Sequence, residues 1–355
     1  DTQVQLPEVK SSRYQKNDIV TVIVELEDAP LLACANEAGL ELQTYGATGQ
    51  GIAQAQALED SHASVKAKIR ALHGSAGTQS VNGASSLEYD YTAALNGFSI
   101  RIPYGDLEAV REMKEVKVAF VAEQYALPDT GRETESTISM ASSSGMVGAT
   151  EANELGYDGA GTVVAVLDTG MDTDHEAFSV MPTEAKYTRE DIQKFLEKGL
   201  ACGMTTADEV YVSEKIPFGF DYAEGDASTE ADIDHGVHVA GTVAGNNGED
   251  FFGVAPNAQL LVMKVFSDGS GSTSDDIILA GLDDAVKLGA DAANLSLGSP
   301  AGFAEYNDDP SQEVDGYLTY SGVYTRAKEA GINVLVASGN ETSSTYHNPY
   351  GNNLT

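Results

Sequence analysis

Basic residues are scarce in this sequence of 355 residues. It has 20 lysines and arginines against 55 aspartates and glutamates, which gives a formal net charge of -35. Nucleic acids and anionic membranes are bound by clustered lysine and arginine side chains. The composition therefore argues against both as partners. The excess of acid is typical of a solubility feature, and recruitment of basic peptides or calcium is the alternative.

Cysteine and long apolar runs are also nearly absent. Cys34 and Cys202 are the two cysteines, so the sequence has neither a disulfide framework nor metal-type cysteine spacing. No segment approaches the roughly 18 apolar residues of a transmembrane helix. Asp1 begins a polar stretch without a signal-peptide core. We therefore expect no membrane-spanning segment, and a signal peptide that has already been removed if the protein is secreted.

The first third of the sequence predicts a small α+β domain. "DIVTVIVEL" (18–26) indicates a strand and residues 52–74 have helical periodicity. Two alternating segments follow, with Asn96-Gly97 as turn residues between them, and then a short helix and a closing strand. The order β-α-β-β-α-β predicts a ferredoxin-like domain, which we place within residues 1–128 with a polar N-terminal lead.

The remainder of the sequence predicts a second domain of another class. A stretch rich in Ser, Thr and Gly indicates a linker over residues 129–148. Residues 149–355 then alternate helical patterns with apolar runs, namely "TVVAVLD" (162–168), "QLLVMKVF" (259–266), "AANLSLG" (292–298) and "INVLVASGN" (332–340). Continuous apolar strands separated by helices predict an α/β fold, a doubly wound parallel sheet covered on both faces. Chemistry in such sheets gathers beyond the carboxyl ends of the strands.

Two residues of this second domain have the pattern of a catalytic pair. Asp168 ends the first apolar run, and His235 begins "HGVHVAGTVAG", whose small residues allow a helix to pack closely on a sheet. A carboxylate that fixes the tautomer of a basic imidazole is the orienting half of a nucleophilic triad. A turn or helix-cap role is the alternative for Asp168. We expect His238 to face inward and to form hydrogen bonds within the fold.

Five segments in order resemble the successive blocks of the subtilisin-like serine proteases: "VVAVLDTGMDTDHEAF", "HGVHVAGTVAG", "FFGVAPNAQLLVMKVFSDGSGS", "NLSLGSPAGF" and "VLVASGNE". Asp168 and His235 are 67 residues apart. That gap, which includes "YVSEKIPFGFDYAEGD", resembles the cell-envelope subtilases of the lactocepin and C5a-peptidase type. The resemblance implies a subtilisin-type fold and a secreted or cell-surface serine endopeptidase.

The resemblance also implies a role for individual residues. Asp168 would be the orienting acid, His235 the general base and Asn340 the oxyanion-hole asparagine. Peptide or protein substrates would bind as an added strand between two backbone edges, formed by Ser296, Leu297 and Gly298 on one side and by Gly269, Ser270 and Gly271 on the other. Val237 stands where the family usually has threonine, and we expect this change to tune the site without inactivating it.

The serine of the triad is not found where the family places it. Its Gly-Thr-Ser-Met-Ala block should follow Asn340, and no such block follows. Ser139 in "ISMASSSG" resembles the middle of the block but lacks its flanks and precedes Asp168. Three interpretations stay open. The polypeptide was cleaved near Thr355 and the remainder with the serine stays bound as a second chain, or the sequence simply stops there, or the protein is a non-catalytic subtilase-like scaffold.

The first domain resembles the inhibitory propeptide of subtilases. This implies that residues 122–130 cross the cleft and that the first cut falls between Tyr125 and Ser136. An ordinary accessory domain is the alternative. The implied chemistry requires no cofactor. A structural calcium ion stays open, because residues 304–316 are acidic, but a solvated loop is the alternative there and no metal ligand can be assigned.

Overall fold

The computed structural model describes residues 14–72, 87–126, 140–230, 232–298 and 315–337. The first domain contains β1 (Ile19–Leu26), α1 (Leu31–Glu37), α2 (Leu42–Tyr45), α3 (Gly49–Leu72), β2 (Asp90–Tyr91), β3 (Gly97–Pro103), α4 (Leu107–Arg111), β4 (Val116–Val121) and β5 (Gln124–Ala126). The second contains α5 (Met140–Met146), α6 (Ala149–Glu154), β6 (Val163–Asp168), α7 (Arg189–Leu196), α8 (Ala207–Val210), β7 (Phe218–Asp221), α9 (His235–Ala244), β8 (Gln259–Lys264), β9 (Ser272–Ser274), α10 (Asp275–Lys287), β10 (Ala292–Leu295), α11 (Asp315–Glu329) and β11 (Asn333–Val336).

The first domain is built on an antiparallel sheet with strand order β2-β3-β1-β4. Successive side chains of a strand point to opposite faces. Val22 and Val24 of β1 accordingly pack in a core with Val65 of α3, whereas Ile23 belongs to a core shared with the second domain. The sheet thus carries α3 and α4 on one face, and the second domain together with α1 and α2 on the other. The predicted β-α-β-β-α-β order is confirmed, with α1 and α2 added after β1.

The connection between β2 and β3 differs from the predicted turn. Tyr91 pairs directly with Gly97, so residues 92–96 form the loop and Gly97 is already in β3. The loop backbone is held by the second domain, because Asp283 accepts hydrogen bonds from the N–H groups of residues 92–94. Gly97 is required for close approach of β1, since a Cβ there would lie 2.1 Å from the carbonyl oxygen of Val24. The signal that was interpreted as a local turn is therefore a packing requirement.

The second domain is built on a parallel sheet with strand order β11-β10-β6-β8-β7. Val166 and Val262 face a core that contains Ala240 of α9. Leu167 and Met263 face the opposite core, which contains α10. Helices thus cover both faces, as the continuous apolar runs predicted. All six residues of β8 are buried.

The segment between Asp168 and His235 contains elements that the sequence analysis left unassigned. They are α7, α8 and the edge strand β7, which pairs parallel with β8. α7 begins with a capping box, in which the Thr188 and Asp191 side chains each accept a hydrogen bond from the other residue's backbone N–H. In the first half of the chain, α5 falls within the span predicted as a linker.

The two domains meet along α10. The Tyr91 hydroxyl donates to the carbonyl oxygen of Asp276 at 3.0 Å, and the Tyr89 hydroxyl donates to the carbonyl oxygen of Tyr222. Both tyrosine rings are buried in the shared core. A buried tyrosine needs a hydrogen-bond partner for its hydroxyl, and here the second domain supplies it.

Candidate active site

Asp168 lies at the carboxyl end of β6, the middle strand of the parallel sheet, with β8 and β10 on either side. Its side chain is 2% exposed. Oδ1 accepts a hydrogen bond from the N–H of Thr169 at 2.7 Å and lies 2.7 Å from Nδ1 of His235. The carboxylate is therefore fixed by its own turn and points its charge at the imidazole.

His235 begins α9, and the turn after Asp168 fixes the start of that helix. The Thr169 hydroxyl donates to the carbonyl oxygen of Ile233 at 3.1 Å and accepts from the N–H of Gly236 at 2.9 Å. Only glycine fits at position 236, because a Cβ there would lie 2.0 Å from the carbonyl oxygen of Gly170. The small residue beside the histidine thus allows the helix to contact the Asp168 turn directly.

The hydrogen bond to Asp168 raises the pKa of His235 above its ordinary value; partial burial opposes this shift, and the negative charge of Asp168 adds to it. In the neutral ring, Nδ1 donates to the carboxylate and Nε2 keeps its lone pair. The His235 side chain is 37% exposed. This arrangement can accept a proton from a hydroxyl placed at Nε2, which is what a general base in a triad does.

The two predicted substrate edges follow the strands that flank β6. Gly269, Ser270 and Gly271 form the loop between β8 and β9. Both glycines of this loop have positive φ angles, +70° and +56°, which residues with a side chain rarely adopt. Ser296, Leu297 and Gly298 come directly after β10, and the Ser296 hydroxyl accepts from the side-chain amide of Asn294 at 2.9 Å. Both edges are thus at the same end of the sheet as Asp168.

A segment of the first domain is paired with the strand that continues the first of these edges. β5 is antiparallel to β9, with Gln124 opposite Ser274 and Ala126 opposite Ser272. Asp275 accepts hydrogen bonds from the backbone N–H of Glu123 and from the Tyr125 hydroxyl, both at 2.8 Å. This is strand addition, the mode in which extended peptides bind sheet edges.

Some predicted residues cannot be placed or lie elsewhere than expected. Asn340 and Ser139 lie outside the described residues, as do residues 304–314 of the acidic segment. The prediction that His238 faces inward is wrong, because its side chain is exposed. The buried face of α9 is formed by Gly236, Ala240 and Ala244, which repeat every four residues and leave position 238 on the opposite side.

Val237, the departure from the family pattern, is partly buried and packs against the core beneath α9. Within the described ranges, no group of three or more His, Cys, Asp or Glu side chains is arranged to hold a metal ion. The same ranges contain no helix that is long and apolar enough to span a bilayer.

Sequence reasoning missed Thr169 and Lys264 as residues of this region. Thr169 directly follows Asp168, so its only signal was its position in "LDTG". Lys264 is the one charged residue of the apolar run "QLLVMKVF" and is 0% exposed. A charge inside a buried strand needs a partner, and that conflict was the available signal.

Comparison with known proteins gives matches over both domains. The profile described as "Subtilase family" matches residues 159–354, and the profile "Peptidase inhibitor I9" matches residues 21–126. The PI-type proteinase of Lactococcus lactis subsp. cremoris is 32% identical over 347 residues, which cover 94% of this chain and 16% of that protein.

Two further relatives have similar identities over shorter spans. The minor extracellular protease Vpr of Bacillus subtilis (strain 168) is 32% identical over 254 residues, 69% of this chain and 28% of that protein. The C5a peptidase of Streptococcus pyogenes serotype M6 is 34% identical over 195 residues, 52% of this chain and 15% of that protein. The chain thus spans only a minor part of each of these relatives. The ordered blocks, the doubly wound sheet and these matches together assign the chain to the subtilase family of serine peptidases, with a domain of the inhibitor I9 type before the peptidase domain.

Proposed function

We propose that the protein is a serine endopeptidase that hydrolyses peptide bonds through an Asp-His-Ser triad. The observation that carries the proposal is the 2.7 Å hydrogen bond between Asp168 and His235 at the carboxyl end of β6. Asp168 orients the ring, and His235 acts as the general base. The relatives named above as proteinases and peptidases support the same reaction class.

The reaction proceeds through an acyl-enzyme. Nε2 of His235 takes the proton of the serine hydroxyl as the serine oxygen attacks the peptide carbonyl, and it then gives that proton to the leaving amine. Water repeats the sequence and releases the acyl group. The Asn340 side-chain amide donates to the oxyanion. Loss of one such donor costs about 10²–10³ in kcat in subtilisin, the protein on which that figure was measured.

The serine is supplied by a segment outside these 355 residues, either farther along the same polypeptide or on a second chain after cleavage. The sheet suggests where that segment lies. Among the described residues, β11 is the outer strand on one side of the sheet, and its Leu335 is 52% exposed. Because strands of a parallel sheet are normally covered on both faces, we place the serine-bearing segment beside β11.

The first domain, residues 1–128, acts as the propeptide and inhibitor, residues 129–148 as the linker, and residues 149–355 as the start of the peptidase domain. The β5–β9 pairing supports this role, because it brings the tail of the first domain to the strand that continues the Gly269–Gly271 edge. The site of action is extracellular or at the cell surface, as the name of one relative indicates for that protein. The triad chemistry itself needs no cofactor, and a structural calcium ion stays a prediction.

The test is labelling with a fluorophosphonate probe, with intact mass spectrometry, on the protein expressed together with its downstream segment. We expect one serine outside residues 1–355 to take the label, and His235→Ala to abolish labelling. His238→Ala is the matched control, since His238 is exposed on the other side of α9. A folded wild-type protein that takes no label and cleaves no peptide would overturn the proposal in favour of a non-catalytic scaffold.

A further inference from the structure

Lys264 is a buried cation beside the proposed catalytic acid. It ends β8, where it is the neighbour of Asp168 on β6 and of Asp221 on β7. Its side chain is 0% exposed. A lysine is rarely buried to this extent unless it is paired, so its contacts define what it holds.

The ammonium group of Lys264 has three acceptors for its three N–H bonds. Asp221 Oδ2, Asp268 Oδ1 and the carbonyl oxygen of Glu230 each lie 2.8 Å from Nζ. Burial lowers the pKa of Lys264, but the hydrogen bonds and charges of Asp221 and Asp268 outweigh it and raise the pKa above its ordinary value. The group is therefore positively charged at neutral pH. We call Lys264 with these three partners the Lys264 clasp.

The three partners belong to different parts of the site. Asp221 ends β7, Asp268 precedes the substrate edge Gly269–Gly271, and Glu230 lies in the segment that leads into His235. One ammonium group thus connects a strand end, one substrate edge and the approach to the catalytic histidine. A buried ion pair is by itself weak evidence of stabilisation, because desolvation offsets much of its attraction. The placement of Lys264 therefore indicates that it fixes the relative positions of these three segments.

Close packing connects the clasp to the Asp168 turn. A Cβ at Gly170 would lie 2.4 Å from the carbonyl oxygen of Thr229 and 2.8 Å from Cδ of Lys264. The same Thr229 oxygen accepts from the N–H of Met171 at 2.7 Å. The lysine stem, the turn after Asp168 and the segment before His235 are therefore in direct contact, and a shift of one displaces the others.

We propose that Lys264 is a positioning residue of the peptidase, which holds the substrate edge after Asp268 and the segment before His235 in one fixed relation. This role rests on the proposed function. Lys264 takes no part in proton transfer. It sets the place of the peptide relative to the base, and a misplacement of about 1 Å can cost roughly 10² in rate.

A second buried lysine provides the matched control. Lys215 is also 0% exposed, and its Nζ donates to the carbonyl oxygens of Pro256 and Ala258, both at 2.7 Å. These acceptors precede β8 at the end of the strand opposite to Lys264. Lys215→Met and Lys264→Met therefore each remove a fully buried ammonium group. The first removes it far from the proposed site, and the second removes it next to the site.

The experiment compares both variants with the wild type in the complete, processed protease, using kcat and KM for an extended peptide, the rate of fluorophosphonate labelling and the melting temperature. We expect Lys264→Met to lower kcat/KM by about 10- to 100-fold, with a change in KM as well as kcat. We expect Lys215→Met to lower the melting temperature with kcat/KM within about twofold, because it changes stability alone. Equal kinetic losses in the two variants, or an unchanged kcat/KM in Lys264→Met, would overturn the positioning role.

Asp268→Asn keeps the test decisive if Lys264→Met does not fold, since Asp268 is half exposed. We expect it to raise KM several-fold with little change in kcat, and an unchanged KM would count against the clasp. Failure of the proposed function has a different signature: the wild type itself would be unlabelled and inactive, which would also remove the basis for a positioning role. An active wild type with unaffected variants would overturn the Lys264 role alone.

Discussion

At the scale of single residues, one hydrogen bond between Asp168 and His235 determines both the tautomer and the basicity of the ring. The base works only when it is unprotonated, so activity should fall as pH drops below the raised pKa of His235. Asp168→Asn weakens the hydrogen bond and removes the charge that together raise this pKa. We expect the acid limb of kcat/KM to move to lower pH and kcat to fall roughly 10⁴-fold through loss of the correct tautomer. A pH–rate profile of both forms checks this, and an acid limb that does not move would contradict it.

Thr169 is the second residue for which the effect of a substitution on stability and activity can be predicted. It is buried and bonds both Ile233 and Gly236. Thr169→Val leaves both backbone groups without this partner, which should lower the free energy of unfolding by about 1–3 kcal/mol and also lower kcat. Thr169→Ser keeps the hydroxyl and serves as the control. Denaturant titration with kinetics on both variants tests this, and equal behaviour of the two would show that the hydroxyl is not responsible.

The structure has Asp168 at a strand end and His235 at a helix start, as predicted, because the signal for each position is local. Asp168 and His235 stand in short segments whose small neighbours indicate strand end and helix start. Lys264 was missed because its partners, Asp221 and Glu230, are distant in sequence. His238 was placed inward because it lies three residues along the helix from His235, although the helix buries Gly236 and Ala240 instead.

At the scale of elements, α10 is the surface on which the first domain is bound. Tyr91 is the fully buried anchor of that contact, and its hydroxyl donates to the backbone of Asp276. Tyr91→Phe removes this hydrogen bond, while the Asp276 carbonyl keeps its N–H donor within α10. The loss is about 0.5–1.5 kcal/mol, so the cleaved first domain should inhibit about 2- to 12-fold less tightly. Inhibition constants measure this. Tyr104→Phe, in the core on the other face of the sheet, is the control and should have no effect.

Elements with a clear sequence pattern of their own were predicted, whereas elements that form only against a partner segment were not. β6 and β8 are continuous apolar runs, and both were found as strands. β5 and β9 have three residues each, and each is a strand only because the other lies beside it. The loop over residues 92–96 likewise has its conformation because Asp283 binds its backbone. Such information is not present in any local stretch of sequence.

At the scale of the whole molecule, the 355 residues carry a net charge of -35. Repulsion among these negative charges destabilises the folded state. Salt screens repulsion between exposed charges, with a Debye length that falls from about 30 Å at 0.01 M to about 8 Å at 0.15 M. Screening should therefore raise the free energy of unfolding over this range of salt concentration. We expect the melting temperature to rise by several degrees, since each gain of about 1 kcal/mol in that free energy corresponds to roughly 2–4 °C. Calorimetry at constant pH tests this. Potassium chloride and sodium chloride should act alike, and a rise with calcium alone would indicate ion binding instead.

The shared core would have a consequence for the first domain if cleavage released it from the peptidase domain. Ile23, Tyr89 and Tyr91 lie in one apolar cluster with Phe220 and Tyr222 of the peptidase domain. A departing first domain would carry its part of that cluster into water, at about 25 cal/mol for each Å² exposed. It would thus become less stable at the moment of release, and an unfolding chain next to a peptidase is a ready substrate. Release of the first domain would then be irreversible, because each released copy would be degraded before it could bind again.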